Sequence, residues 1–306
     1  MRDTPLVAAS RKWQIAYGLT CSLFRMSVVH LHPKIELSPE DIYFDDGFFT
    51  LLKNGYPATG HLTWRSDSGA LRLACNLYRG RAHGLWEQFY ENGDLEHWCY
   101  YSHGKQDLYD EWYDKHQRLI QSDCWHDGKL HGRCESYELG QLSAIEEFNN
   151  GKRHGLWETY GKRKVTTFRG RYLEDKPHGW HVWRFANNKL EAEHHYGRGI
   201  KTGHWRDFYD NGALKMERTY VHNRLVGEVR CYYDTGVLAL SANYNEGNLD
   251  GLWFEYYPNG TLMRSFPYRD GLLDGFERHY DRSTRLTRKV RWQGGGILSD
   301  LTYLIR

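Results

Sequence analysis

The sequence predicts an all-β protein: an elongated, single-layer, twisted antiparallel sheet of about ten 24-residue β-hairpin repeats. Three observations carry this. Positions 60, 84, 108, 132, 155, 179, 203, 227, 251 and 275 are spaced by 24 residues, once by 23, and all are glycine except Leu108. Seven residues before each such position from 108 onward stands an aromatic: Tyr101, Trp125, Phe148, Tyr172, Tyr196, Tyr220, Tyr244 and Tyr268, with Trp292 one period later. Near eleven residues after it comes an aliphatic, from Leu71 to Leu286.

The elements follow in chain order. Residues 1–40 lie outside the period. Two readings stand for 1–25: an over-extended gene start with Met26 as the true first residue, or a disordered or capping terminus. The stretch Trp13 to Leu31 is interrupted by Gln14 and Arg25, too polar for a membrane span and without a signal-cleavage pattern. Residues 41–59 read as a cap leading into the first repeat, because Asp45-Asp46-Gly47 and Asn54-Gly55 bracket a short Phe48–Leu52 strand. Residues 60–275 are the repeats, and 276–306 a degenerate C-terminal repeat or cap.

Within a repeat, one turn follows an aromatic pair, as in Phe89-Tyr90-Glu91-Asn92-Gly93 and Tyr256-Tyr257-Pro258-Asn259-Gly260. A second turn precedes the repeat glycine, as in Asp127-Gly128 and Glu246-Gly247. Each repeat is therefore two strands and two turns. Pairing Tyr90 with Leu95 across a four-residue loop sets Gly84 opposite Tyr101 and Gly203 opposite Tyr220. In this register the missing side chain leaves room for the opposite ring to lie over the glycine backbone. Valine at Gly203 or Gly251 is then expected to push away Tyr220 or Tyr268, and position 108, already Leu108, to tolerate the same change. Gly60, Gly84, Gly132, Gly155, Gly179, Gly203, Gly227, Gly251 and Gly275 form the structural set.

Composition excludes several functions. The hydrophobic share is 40%, with 15% aromatic, so rings rather than aliphatic layers carry the apolar surface. Forty-one Lys and Arg against 39 Asp and Glu leave +2, without the basic excess of a nucleic-acid binder. Cys21, Cys75, Cys99, Cys124, Cys134 and Cys231 contain no CxxC pair and no zinc-type His/Cys spacing. Cys75 and Cys99 stand one repeat apart, roughly 10 Å across two strands, beyond disulfide reach. Free thiols and a reducing cytoplasm follow.

His83, His131, His154 and His178 recur just before a repeat position, one repeat apart and so too far to share an ion, and they read as turn residues; no metal or cofactor is expected. No nucleophile elbow, P-loop or dinucleotide fingerprint is present, and Glu87, Glu158 and Glu255 read as a solvated strand side. The chain reads as a non-enzyme.

The motif Gly-x-Trp-x-x-Tyr-Tyr-x-Asn-Gly-x-Leu, clearest at Gly251–Leu262, followed by an aromatic and Asn/Asp-Gly-Lys-x-His-Gly, resembles the MORN repeat variant of bacterial YwqK-type antitoxins over about residues 54–300. Leu108 and Glu277, where the motif has glycine and tryptophan, depart from it. The resemblance implies a cytoplasmic protein-binding module, an antitoxin or immunity protein sequestering a cognate toxin. Trp205, Tyr209, Tyr232, Tyr233, Trp253, Tyr256 and Tyr257 are the expected contact residues, since these rungs keep every column intact. The alternative is a membrane-surface or scaffolding module; against it, only the end of the chain is basic, where Arg278, Arg282, Arg285, Arg288, Lys289, Arg291 and Arg306 oppose Glu277, Asp281 and Asp300, and this stretch also reads as a terminal capping repeat. Neither oligomeric state nor partner identity is encoded in the spacing.

A sheet of ten such hairpins would be on the order of 95 Å long. Its radius of gyration would be ~27 Å, against roughly 19 Å for a compact chain of this length. Small-angle scattering should return the larger value; the smaller would exclude a single extended sheet.

Overall fold

The computed structural model describes residues 35–45 and 47–302. The expectations for residues 1–25, Met26, Cys21 and Arg306 lie outside that range. Among the described residues two units are distinguished: one up to residue 142 with 148–151, and one of residues 143–147 with those from 152 onward. Among the described residues there is no α-helix. Within each unit every long strand pairs antiparallel with the next in the chain, an open meander.

In the first unit the cap consists of a hairpin, Ile42–Asp45 with Phe48–Leu51, and the two-residue strand Glu36–Leu37, which pairs parallel with Gly60–Arg65. The cap covers the sheet edge that would otherwise expose unpaired backbone groups. It also closes a small aliphatic core of Leu37, Ala58, Leu62, Cys75 and Leu77, with Phe49 and Trp86 packed against it.

The two turns of each repeat have different physics. The second is a two-residue turn with both residues left-handed, as at Asn150 and Gly151 (φ 51° and 82°) or Glu246 and Gly247 (φ 46° and 95°), the twist-matched hairpin connection that Asn-Gly favours. The first turn is tighter than the sequence suggests. Tyr90 N–H donates to the Asp94 carbonyl and Gly93 N–H to the Tyr90 carbonyl, so the loop is three residues long and Gly93 is its left-handed member (φ 84°). A bulge results, placing Leu95 opposite Phe89 rather than Tyr90. Beyond the bulge the expected register holds: Gly84 faces Tyr101, Gly203 faces Tyr220 and Gly251 faces Tyr268.

The reason for the glycine column differs from the one expected. A Cβ at Gly203 would meet His195 at 3.8 Å, and one at Gly251 would meet Asn243 at 3.3 Å; neither meets the ring opposite. The Tyr220 ring instead leans on Trp205, centroids 4.9 Å apart, as Tyr101 leans on Trp86 and Tyr172 on Trp157. What demands glycine is the backbone: φ is +67° at Gly203 and +115° at Gly251, where the strand bulges away from the preceding turn. Leu108 adopts the same left-handed conformation, φ 66°, with a side chain that does not belong there.

The bulges let the turns of successive repeats meet. In the first unit Gly80, Gly104 and Gly128 N–H donate to the carbonyls of Ala58, Ala82 and Gln106, one repeat back, at 2.7–2.8 Å. In the second, Gly199, Gly247, Gly271 and Gly295 donate to Pro177, Leu225, Leu249 and Leu273 at 2.7–2.9 Å. Along the other edge the Tyr90 hydroxyl donates to the Tyr113 carbonyl, Tyr209 to Tyr232, Tyr233 to Tyr256 and Tyr257 to Tyr280.

Because strain rather than steric room sets the glycine column, Gly203→Val and Gly251→Val should each cost about 1–3 kcal/mol. Leu108→Val should also destabilise, because a β-branched residue is worse than leucine at positive φ, and Leu108→Gly should stabilise by roughly 1 kcal/mol. Urea midpoints of the four variants check this; an unstable Leu108→Gly protein would contradict it.

Candidate functional site

Strand alternation divides the side chains of each unit between two faces. On one face a column runs through the residue two after each repeat position and its cross-strand partner. In the second unit the pairs are Trp157 with Gly170, His181 with His194, Trp205 with Arg218, Val229 with Ala242, Trp253 with Phe266, and Glu277 with Val290. A ring stack occupies its middle: His181 lies 5.1–5.9 Å from Phe168, Tyr172, Trp183 and Tyr196, and His194 lies flat on Trp205, centroids 3.9 Å apart at 9°. His194 also bonds Asp207 at 2.8 Å, and Asp207 accepts from Arg218. Burial pushes the Asp207 carboxyl up, but the His194 and Arg218 contacts outweigh it and hold it below the ordinary carboxylate range.

Several expected contact residues belong to this packing. Trp205 is 4% exposed, donates from Nε1 to the His195 carbonyl, and carries Lys201 over its ring. Tyr209, Tyr233 and Tyr257 are half-buried and commit their hydroxyls to the next repeat, while Tyr232 donates to Glu217. Trp253 donates to Glu255, and Tyr256 is half-buried. Tyr209, Tyr232, Tyr233 and Tyr257 thus join neighbouring repeats. Glu158 and Glu255, expected on a solvated side, are half-buried and paired with Arg169 and Arg264 of the adjacent strand; burial raises the Glu87 pKa.

The opposite face of the second unit is open. A cleft of about 450 Å³ is lined by Trp180, His204, Arg206, Glu217, Thr219, Glu228 and Arg230, with Trp205 and Arg218 at its floor. Trp180 is 49% exposed and touches His195 edge-on. Arg206 pairs with Glu193, and Arg230 with both Glu217 and Glu228, so the guanidinium planes are held in place at the rim. Exposed Trp and Arg on rigid strands are the groups that anchor protein interfaces. Sequence reading passed over this set because Trp180 stands one residue after its glycine, on the face opposite the Trp column.

In the first unit the same buried column changes character. Trp86 with Cys99 is followed by Asp110 with Asp123, two carboxyls directly opposite each other, then by Cys134. Asp110 receives His97 at 3.0 Å and Gln106 at 2.6 Å; Asp123 receives Gln121 at 2.6 Å. Burial first, then the Asp110 charge, raise the Asp123 pKa, against the Gln121 and Cys134 contacts. Burial pushes the thiols of Cys75, Cys99 and Cys134 up to about 12. Ligand-type atoms of His97, Cys99 and Asp110 lie within 4.8 Å of one another, a grouping the sequence reading, which names no metal ligand, does not contain.

The recurrent histidines have a defined structural use. His83, His131 and His178 present Nδ1 to the backbone N–H of His103, Asn150 and Arg198, the first left-handed residue of the following turn.

Comparison with known proteins follows this geometry. The MORN repeat variant family matches residues 82–103, 201–222, 225–246 and 249–270, each spanning one hairpin of two long strands. These four segments carry MORN-type repeats. Such repeats make it a repeat protein, and the MORN family is in general a non-catalytic binding module. No curated protein matches the chain. Among solved structures, a TcdB2-TccC3-TEV crystal structure is similar at 11% identity, over 85% of this chain and 16% of that one, with a TM-score of 0.19. A Photorhabdus luminescens Tc holotoxin pore is similar at 12% identity, over 76% and 15%, with a TM-score of 0.14. This chain spans a small part of those proteins, and likeness at such scores carries no argument.

His181 supplies a test of the ring stack. Desolvation lowers its pKa, against a hydrogen bond from its Nε2 to the Arg171 carbonyl. The neutral form is thus favoured on folding: its contribution is complete above the unfolded value of about 6.5 and is lost as pH falls through the folded one. Urea stability should drop as pH falls below about 6.5, and less steeply in His181→Gln. Identical slopes would mean that the imidazole titrates freely.

Proposed function

We propose that this MORN-repeat chain is a non-catalytic binder that captures a protein partner on the open face of its second unit, and that the partner is a cognate bacterial toxin which it blocks as a cytoplasmic antitoxin or immunity protein. The observation that carries the reading is Trp180, half exposed beside Arg206 and Arg230 in a cleft whose walls are strand-borne. Rigid strands lose little entropy on binding, and an aromatic flanked by arginines supplies both apolar area and hydrogen-bond donors. The toxin assignment draws on the resemblance of the repeat motif to YwqK-type antitoxins.

One observation favours the second reading, a membrane-surface or scaffolding module. The Phe276 ring is surrounded by Arg278, Lys289 and Arg291 at 4.7–5.7 Å, a cationic patch around an apolar group.

A toxin candidate from the neighbouring genes should be co-expressed with it, and growth compared for wild type, Trp180→Ala, and Arg206→Glu combined with Arg230→Glu. Wild type should protect and co-elute with the toxin on gel filtration. Trp180→Ala should weaken the complex by a factor of about 30. Absence of a complex, together with salt-sensitive sedimentation on anionic vesicles, would favour the membrane reading.

A further inference from the structure

We propose that His97, Cys99 and Asp110 form a buried site for a divalent zinc-type cation that staples two adjacent strands of the first unit. His97 and Cys99 lie two residues apart on strand Leu95–Ser102, hence on one face, and Asp110 of strand Lys105–Tyr113 is the direct cross-strand partner of Cys99. The three side chains therefore converge from two strands. All three are buried, at 6%, 0% and 4% exposure, and their ligand atoms lie within 4.8 Å of one another. An ion between them would need only small rotations to bring nitrogen, sulfur and oxygen to about 2.0–2.3 Å.

Charge gives the independent argument. Asp110 faces Asp123 inside the same buried column, and among the described residues no lysine or arginine pairs with either. Two facing buried carboxyls are costly without a cation or protons, and in four other repeats this column holds Trp86, Trp157, Trp205 and Trp253, which need neither. The Nδ1 of His97 is buried without a hydrogen-bond partner, so the ring has an uncommitted nitrogen as well as the one directed at Asp110.

The surroundings suit ligands that must be held still. Trp112 stacks on His97 with centroids 3.8 Å apart, and Gln106 donates to the second oxygen of Asp110. A mixed nitrogen, sulfur and oxygen set selects zinc over magnesium or calcium, which prefer all-oxygen shells. Three protein ligands leave the fourth tetrahedral position to a water. Binding displaces the Cys99 proton to solvent, so uptake releases acid.

The full-length protein, purified under reducing conditions, should be stripped with chelator and titrated with Zn²⁺ and, separately, Co²⁺. One equivalent should bind, with a sulfur-to-cobalt charge-transfer band in the near ultraviolet and a rise in melting temperature. Cys99→Ser should abolish the band, and Gln106→Ala, which only loosens the Asp110 carboxylate, should weaken affinity by about tenfold or more while remaining folded by circular dichroism. Absence of binding to the folded wild type would overturn the proposal. So would stoichiometric binding that survives Cys99→Ser but is lost in Cys21→Ser, because the ion would then lie elsewhere in the chain.

Discussion

A sheet one layer thick has no second layer to pack against, so its repeats must be tied to each other. The constraint on which the rest depends is the left-handed backbone at each repeat glycine. It lets the strand bulge after one turn, so that this turn can accept a hydrogen bond from its equivalent in the next repeat. Gly104 to Ala82 and Gly247 to Leu225 are instances of one rule. On the opposite edge the tyrosine hydroxyls, such as Tyr233 to the Tyr256 carbonyl, do the same work with side chains. Both edges are thereby laced by hydrogen bonds that otherwise would go to water, and the recurring histidines and asparagines serve them, His178 accepting from Arg198 and Asn211 donating to the Asp234 carbonyl.

Apolar burial is then concentrated in a single column on one face. Rings fill it well because a tryptophan spans the distance to the neighbouring hairpin, as the Trp205 contacts to Tyr196 and Tyr220 show. At two rungs that lack tryptophan, Glu277 and Asp110, polar groups take its place. Glu277 accepts from Trp292 Nε1 and His279, and so keeps the last glycine rung in ladder with the rest. Asp110 and Asp123 do this less completely: amides and an imidazole contact them, but no cationic lysine or arginine does, among the described residues.

The division of labour between faces bears on function. Side chains that knit repeats together cannot also be surrendered to a partner without loosening the ladder, and the ring stack from Phe168 to Tyr220 belongs to the first task. On the face bearing Trp180, Arg206 and Arg230 the repeats are joined by ion pairs such as Arg206 with Glu193 and Arg230 with Glu217 rather than by a ring stack. The residues of this face are fixed by cross-strand ion pairs and can vary without disturbing turns or bulges, which is the freedom a binding surface needs.

The sequence by itself determined the period, the two hairpin turns, the strand register opposite each glycine, and the repeat class. These are local or one-repeat relations, in which left-handed glycines, Asn-Gly turns and two-residue alternation leave a direct trace in residue types. Trp205, Tyr209, Tyr233 and Tyr257 were legible as important residues, but not as residues engaged inside the protein. A column of aromatics looks the same in sequence whether it faces solvent or the next repeat. Only the tertiary structure decided which face is packed, that Leu108 is strained, that the glycine answers to backbone rather than ring, and that His97, Cys99 and Asp110 meet. The physical reason is that each depends on a one-residue bulge or on a contact across a hairpin: a single inserted residue moves every following side chain to the other face, and no spacing along the chain records it.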